Sequence, residues 1–228
     1  MSSGAESSKF AADAPAQKRL AGGRAQEANA NDQAILAAAQ AVFVANPAAP
    51  IADVAAKAGV GIAALYRRYP SKEHLLATLC AHGQRVYIVE TEKALANTDS
   101  PWDAYTQFLI RIVAHDTHAL SSRLAGTFRP TEEHVQLGEQ LQSLGETLFA
   151  RTQAAGVLRN DVTLLDVGYM LEGIAQVRLA DDQRTAELRQ RLVVLLIDAL
   201  RPGAETTPLP GNAPTWDDQN ARWVPSHD

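Results

Sequence analysis

The stretch that decides the fold runs from Ile51 to Leu76, IADVAAKAGVGIAALYRRYPSKEHLL. Ile51, Val54 and Ala55 place apolar groups at i, i+3 and i+4, the spacing of one buried helical face. Gly59-Val60-Gly61 interrupts that pattern. Gly59 is placed to take the positive φ that ends a helix, and Val60 is apolar enough to plug the corner. A second helix follows, with Leu65 and Tyr69 four apart on its inner side and Tyr66, Arg67 and Arg68 beside them. Pro70 stops it, and Ser71 is a cap for the next helix. Two short helices, a tight Gly-containing turn, and Arg and Tyr on the outer side of the second helix form a helix-turn-helix signature, which predicts DNA binding.

Three blocks around this stretch resemble the N-terminal domain of the TetR family of transcriptional repressors. That family carries I-L-x-A-A-x-x-x-F, then I/V-A-x-x-A-G-V, then L-Y-x-x-F-P-x-K-E-x-L-L. The blocks appear here as Ile35-Leu36-Ala37-Ala38-Ala39 with Phe43, as Val54-Ala55 with Ala58-Gly59-Val60, and as Leu65-Tyr66 with Tyr69-Pro70-Ser71-Lys72-Glu73 and Leu75-Leu76. The resemblance spans residues 32–79, about a fifth of the chain, and the mutual spacing of three blocks makes it specific. It departs in three places. Asn31-Asp32 stand where the family often has Arg, Pro50-Ile51 where it favours Ser or Thr, and Gly61-Ile62-Ala63-Ala64 where it commonly has Ser-x-Gly-Thr.

The resemblance and the helix positions together assign a DNA face. Ile62, Ala63 and Ala64 would meet the major groove; none of them can hydrogen-bond a base edge, so they read thymine methyls and shape. Tyr66 follows buried Leu65 and points outward, where its hydroxyl can donate to a phosphate. Lys72 opens the next helix, where backbone N–H groups and an ammonium hold a phosphate together. Arg67 and Arg68 are either plain surface charges or phosphate contacts; Arg68 matches a position that often touches DNA in the family.

Composition fits this reading. Net charge over 228 residues is −5, but residues 1–75 hold 8 Lys/Arg against 6 Asp/Glu, a net +2, which leaves −7 for the remainder. A weakly basic head on an acidic body suits local phosphate contact rather than whole-protein attraction. Hydrophobic residues make up 46% and aromatics only 6%, a balance that suits close-packed helices. The single cysteine, Cys80, excludes an internal disulfide and predicts a reducing compartment. No apolar run reaches the length of a membrane span and no signal core opens the chain, so a soluble, cytoplasmic protein is expected. No Ser/His/Asp arrangement, phosphate-binding Gly loop or Cys cluster supports catalysis or a cofactor.

Four regions are expected in an all-α chain: a disordered arm over 1–30, a three-helix DNA-binding domain over 31–78, a helical ligand-binding and dimerisation domain over 79–201, and an irregular Pro-rich tail over 202–228. Lys18, Arg19 and Arg24 in the arm are either solvated or reach DNA beside the docked helix. Asp32 is expected to cap a helix buried through Ile35, Leu36, Ala39, Val42 and Phe43. A long helix runs from Ser71 to about Leu95, and Ser100-Pro101-Trp102-Asp103 starts another. The next break falls at Gly126. Thr131 opens a helix to about Ala155, with Glu132-Glu133-His134 as its solvated start. Thr163 and Asp166 form a capping box for a helix to about Arg178. The last helix, Gln183 to Leu200, holds six consecutive apolar residues from Leu192 to Ile197 and is expected to be buried all round, with Leu192 and Leu196 at a seam. In the tail, five of the chain's 11 prolines fall within 27 residues, and at least one of Trp216 and Trp223 should pack on the body.

The resemblance implies a homodimer joined through the last two helices in a four-helix bundle, bound to a double-stranded operator and released by a small-molecule effector. The effector pocket is expected to be lined by Trp102, Tyr105, Phe108, His115, Phe128, Met170, Glu172 and Gln176, a mostly apolar set with a few polar groups. The competing reading makes these residues simply the body's core. Two rivals to the function stand beside it: a ligand-independent regulator, and an all-α metal-binding or enzymatic bundle. The second has only His115 and His118, three apart, to support it, without the further ligand cluster a metal needs.

Overall fold

The computed structural model describes the backbone of residues 14–203 and 206–223, with side chains from residue 30 onward apart from residue 121. Residues 1–13 of the arm, and the side chains of Lys18, Arg19 and Arg24, lie outside the described residues. Ten helices and no strand make up what is described: α1 (Ala14–Ala45), α2 (Ile51–Ala58), α3 (Ile62–Arg68), α4 (Lys72–Ala96), α5 (Pro101–Ala114), α6 (Thr117–Leu124), α7 (Glu132–Ala154), α8 (Leu164–Gln176), α9 (Asp182–Ala199) and α10 (Trp216–Ala221).

The helix-turn-helix forms as its residues dictate. Gly59 adopts φ +68° at the end of α2, and its N–H bonds back to Ala56. Leu65 and Tyr69 are buried in a head core with Ile35, Ala39, Phe43, Val54, Ala55, Leu75, Leu76 and Leu79, against which Val60 packs. Ser71 caps α4 by accepting from the His74 N–H. Asp32 does not start a helix. Alanine recurs through residues 14–45, no proline interrupts after Pro15 in the first turn, and α1 begins at Ala14. The boundary expected at residue 30 therefore falls inside α1, and the Asp32 carboxylate is free to take another partner.

The body packs α5, α7, α8 and α9 around Tyr105, Phe108, Leu109, Ile112, Leu148, Val167, Leu171 and Val193. Helix α4 runs from the head into this layer. At Gly83 it passes so close to α6 that a Cβ would lie 3.0 Å from Leu120 Cδ1. Helix α6 in turn sends Ala119, Leu120 and Leu124 into the head core.

Four sequence expectations change. First, an additional break separates α5 from α6, because Asp116 takes a left-handed φ of +55° and its carboxylate is held by Arg178 (3.2 Å) and Arg189 (2.8 Å). His115 and His118 therefore lie on opposite sides of a joint rather than on one helical face. Second, His134 is buried, not solvated. Its Nδ1 accepts from the Thr131 N–H (3.2 Å) and its Nε2 donates to the Ala77 carbonyl (2.8 Å), tying the start of α7 to α4. Third, α9 is not buried all round. Val193, Leu196 and Ile197 are in the body core, Leu192 packs against it, and Val194 and Leu195 face outward. Fourth, the tail contains α10, closed by a Thr215/Asp218 capping box. Trp216 Nε1 donates to Glu146 (2.9 Å), and Trp223 meets the Phe128 ring edge-on at 6.1 Å.

Candidate DNA interface and body cavity

Helix α3 presents Ile62, Ala63, Tyr66 and Arg67 to the outside of the head, with Tyr66 47% exposed and Ala64 half-buried. Arg68 is already engaged. Its Nε and Nη2 fork onto Asp32 at 2.9 and 2.6 Å. Arg68 is exposed and Asp32 partly so, a surface pair worth only about 0–1 kcal/mol, so Asp32 is readily exchanged for a phosphate. Lys72 has an anchoring role that its sequence position did not reveal. Its ammonium donates to the Ala49 carbonyl (2.8 Å) and lies 5.1 Å from the centre of the Phe43 ring, which fixes the loop before α2 to the start of α4. An ammonium has three donors, so two remain for phosphate.

Within the body, α4, α5, α6, α7, α8 and α10 line a partly open cavity of about 110 Å³. Tyr105, Phe108 and Glu172 line it. The other expected pocket residues lie elsewhere. Trp102 stacks under Arg201 (4.4 Å), and His115 is exposed at the end of α5, 3.8 Å from Glu90. Phe128 packs against His134 and Trp223, and Gln176 donates to Ser122 (2.8 Å). Met170 points outward from α8. Even spacing on α5 marked Tyr105 and Phe108 correctly as inward, but Trp102 and His115 sit at the helix ends, where the packing diverges.

The lining residues not expected from sequence come mainly from α8 (Leu164, Leu165, Val167, Gly168, Tyr169, Leu171) and α4 (Cys80, Gly83, Gln84, Tyr87), with α6 (Thr117, His118, Leu120) and α10 (Trp216, Gln219) supplying others. A signal for the last pair was present. Thr215-x-x-Asp218 is the same capping pattern that located α8. Burial raises the Cys80 thiol to about 12, so it is inert as a nucleophile. Among the described residues no group of three His, Cys, Asp or Glu is placed to hold a metal ion.

Burial lowers His118 to about 4, so it is neutral at physiological pH. The unfolded chain takes up this proton near the ordinary value of 6.5, whereas the folded chain resists until about 4, so acid favours unfolding across that window. The expected result is a loss of stability as pH falls from 6.5 to 4, at up to about 1.4 kcal/mol per pH unit from this group. His118→Gln should show a shallower fall than the parent in urea titrations. Equal slopes in parent and variant would mean that His118 is protonated in the fold.

Two family models match the chain. One, for bacterial regulatory proteins of the tetR family, matches residues 35–79; the other, for the C-terminal domain of SbtR-like transcriptional regulators, matches residues 100–202. A solved TetR transcriptional regulator from Streptomyces coelicolor is 30% identical, with 75% of this chain and 99% of that one covered and a TM-score of 0.53. The chain belongs to the TetR family of transcriptional regulators.

As a TetR-family member it is a DNA-binding regulator of a non-enzymatic family. Two further solved relatives share the fold at lower identity. A TetR regulator from Mycobacterium vanbaalenii is 23% identical, covering 78% of this chain and 98% of that one, with a TM-score of 0.54. LfrR from Mycobacterium smegmatis, solved in complex with proflavine, is 19% identical, covering 78% and 99%, with a TM-score of 0.59. No curated protein sequence matches the chain. No helix among the described residues is long and apolar enough to cross a membrane.

Proposed function

We propose that this TetR-family regulator is a repressor: a homodimer whose two heads hold an operator through α3 and the start of α4, released when a small molecule enters the body cavity. One observation carries the effector part. Leu120 of α6 lines the cavity and also belongs to the head core, and α4 likewise lines the cavity through Gly83 and enters the head through Leu75, Leu76 and Leu79. An occupant that moves either helix must move the head with it. Release then requires the occupant to prefer the arrangement that no longer fits the two half-sites. LfrR, which shares the fold, was solved with a small molecule, proflavine, bound.

The ligand-independent reading draws on one observation, the cavity's size: about 110 Å³ against the few hundred usual for a drug-sized ligand. A small effector reconciles the two. In vitro transcription from the gene's own promoter is expected to fall when the protein is added; a rise would make it an activator.

The DNA face is tested by salt dependence. With two heads, replacing Lys72 with Ala removes one phosphate-neutralising charge from each, and the slope of log K against log salt should flatten by about two units. Because Lys72 also anchors Ala49, Tyr66→Phe is the companion variant: its neutral hydroxyl releases no counterion, so binding should weaken at every salt concentration with the slope and the melting temperature unaltered. An unchanged slope in Lys72→Ala would remove Lys72 from the interface, and unchanged affinity in Tyr66→Phe would remove Tyr66.

A further inference from the structure

Of the three cations assigned to the DNA face, Arg68 is the one that an ion pair neutralises among the described residues. Its Nε lies 2.9 Å from Asp32 Oδ1 and its Nη2 2.6 Å from Oδ2, so the carboxylate closes one edge of the guanidinium. The ring of Tyr69, buried in the head core, lies 5.9 Å from its Cζ. Three of the five N–H groups remain open. Arg68 is the last residue of α3, and Asp32 comes from α1, so the carboxylate is brought to the DNA face from a separate helix. Asp32 lies well inside α1 and caps nothing, which leaves the pair with Arg68 as its visible role.

A carboxylate and a phosphate fit the same fork of a guanidinium. Asp32 therefore occupies, in the free protein, the place that a DNA phosphate takes in a complex. The consequences differ between loose and docked binding. In a loose encounter the pair is neutral, so Arg68 releases no counterion and adds nothing to sequence-independent attraction. In a docked complex, a phosphate already positioned by neighbouring contacts displaces Asp32, an exchange that a weak surface pair permits. The Arg68 contact is thus deferred until docking is complete.

Such a device suits this head. Ile62, Ala63 and Ala64 cannot hydrogen-bond a base edge, so direct readout favours the operator only weakly. Specificity is a difference of affinities, and lowering the affinity for competing DNA raises it as surely as a new base contact does. We propose that Asp32 determines specificity: by holding Arg68 until a docked phosphate replaces it, Asp32 weakens binding to mixed-sequence DNA more than binding to the operator. The proposal rests on the DNA-face reading above and adds to it a residue that acts against binding.

The test uses the full chain and two labelled duplexes of equal length: one that the parent protein selects from a random-sequence pool, and one of mixed sequence. Fluorescence anisotropy reads both affinities across a salt series. Asp32→Asn keeps the shape and removes the charge, so the melting temperature should stay within about 2 °C of the parent. On mixed-sequence DNA it should bind about tenfold tighter at low salt, with a slope steeper by about two units, one Arg68 per head. On the selected duplex, where Arg68 is already engaged, the gain should be about threefold or less with little change in slope. Asp32→Glu keeps the carboxylate and should restore parental binding to both. In an Arg68→Ala background, Asp32→Asn should gain little on either duplex. Equal tightening on both duplexes overturns the proposal, as does no change on either. So does an undiminished gain without Arg68, which would make the bare charge responsible. Weaker binding of Asp32→Asn to the selected duplex also overturns it, since Asp32 would then brace Arg68 toward DNA. Lys72→Ala separates this failure from that of the DNA face. A flattened slope there with a silent Asp32→Asn retires only the role of Asp32; unchanged slopes in both variants retire the face as well.

Discussion

Replacing Leu195 with Asp is expected to leave a folded monomer that has lost its operator. In the single chain Leu195 is 63% exposed and Val194 48%, on the outer side of α9, and Met170 is 54% exposed on neighbouring α8. Three large apolar side chains on two packed helices are more than scattered surface leucines require, and a second copy of the same face is the natural cover. A carboxylate buried there without a partner costs several kcal/mol, and a two-fold dimer carries two of them. The dimer dissociation constant should rise by roughly a thousandfold or more, which light scattering reads as a monomer at micromolar concentration. A monomer has one head and loses the second half-site. Leu196 supplies the control. It is only 7% exposed, in the body core with Val193 and Ile197, so Leu196→Asp should lower the melting temperature steeply. If Leu195→Asp remains dimeric and binds operator normally, the seam is not on α9.

That pair of residues shows where sequence reading stops. Six apolar residues in a row announced that α9 is buried on several sides, but not which residues face the body and which a partner. Phase is set by the helices packed against it. The head was legible to single residues, because its determinants are local: Gly59 for a positive φ, Leu65 and Tyr69 four apart, Ser71 as a cap. Capped helix starts at Pro101 and Leu164 were legible for the same reason. The cavity was not. Its walls come from six helices spread along the sequence, and only Tyr105, Phe108 and Glu172 of the expected eight residues line it. The break at Asp116 was equally hidden. A single Asp between His115 and Thr117 is only a weak turn signal, and the left-handed conformation is held by arginines more than 60 residues away in sequence.

Arg189 is the residue that imposes it, and its loss should be the most damaging single change to the body. The side chain is 6% exposed. Its Nε donates to the Val177 carbonyl at 2.9 Å, its Nη1 to Asp116 at 2.8 Å, and its Nη2 to the Ala175 carbonyl. One guanidinium thus satisfies the open C-terminal carbonyls of α8 and neutralises the carboxylate at the α5–α6 joint. Burial raises Asp116 above the usual carboxylate range, with the two arginines acting in opposition, so this charge depends on them. Arg189→Leu leaves a buried carboxylate with Arg178 alone and two carbonyls without donors, a loss on the order of 3–5 kcal/mol and roughly 10 °C in melting temperature. Adding Asp116→Asn should restore part of it, because Asn tolerates the left-handed φ without the charge. No recovery in the double variant would mean that the carbonyls, not the carboxylate, dominate. The position also matters for function. Arg189 lies on the helix assigned to the dimer seam, and Asp116 immediately precedes Thr117 and His118 in the cavity wall. The same ion pair therefore fixes α6, whose far side enters the head core, against α9. A weakened Arg189–Asp116 pair should loosen head spacing even in molecules that remain folded, and operator affinity measured well below the melting temperature would register it.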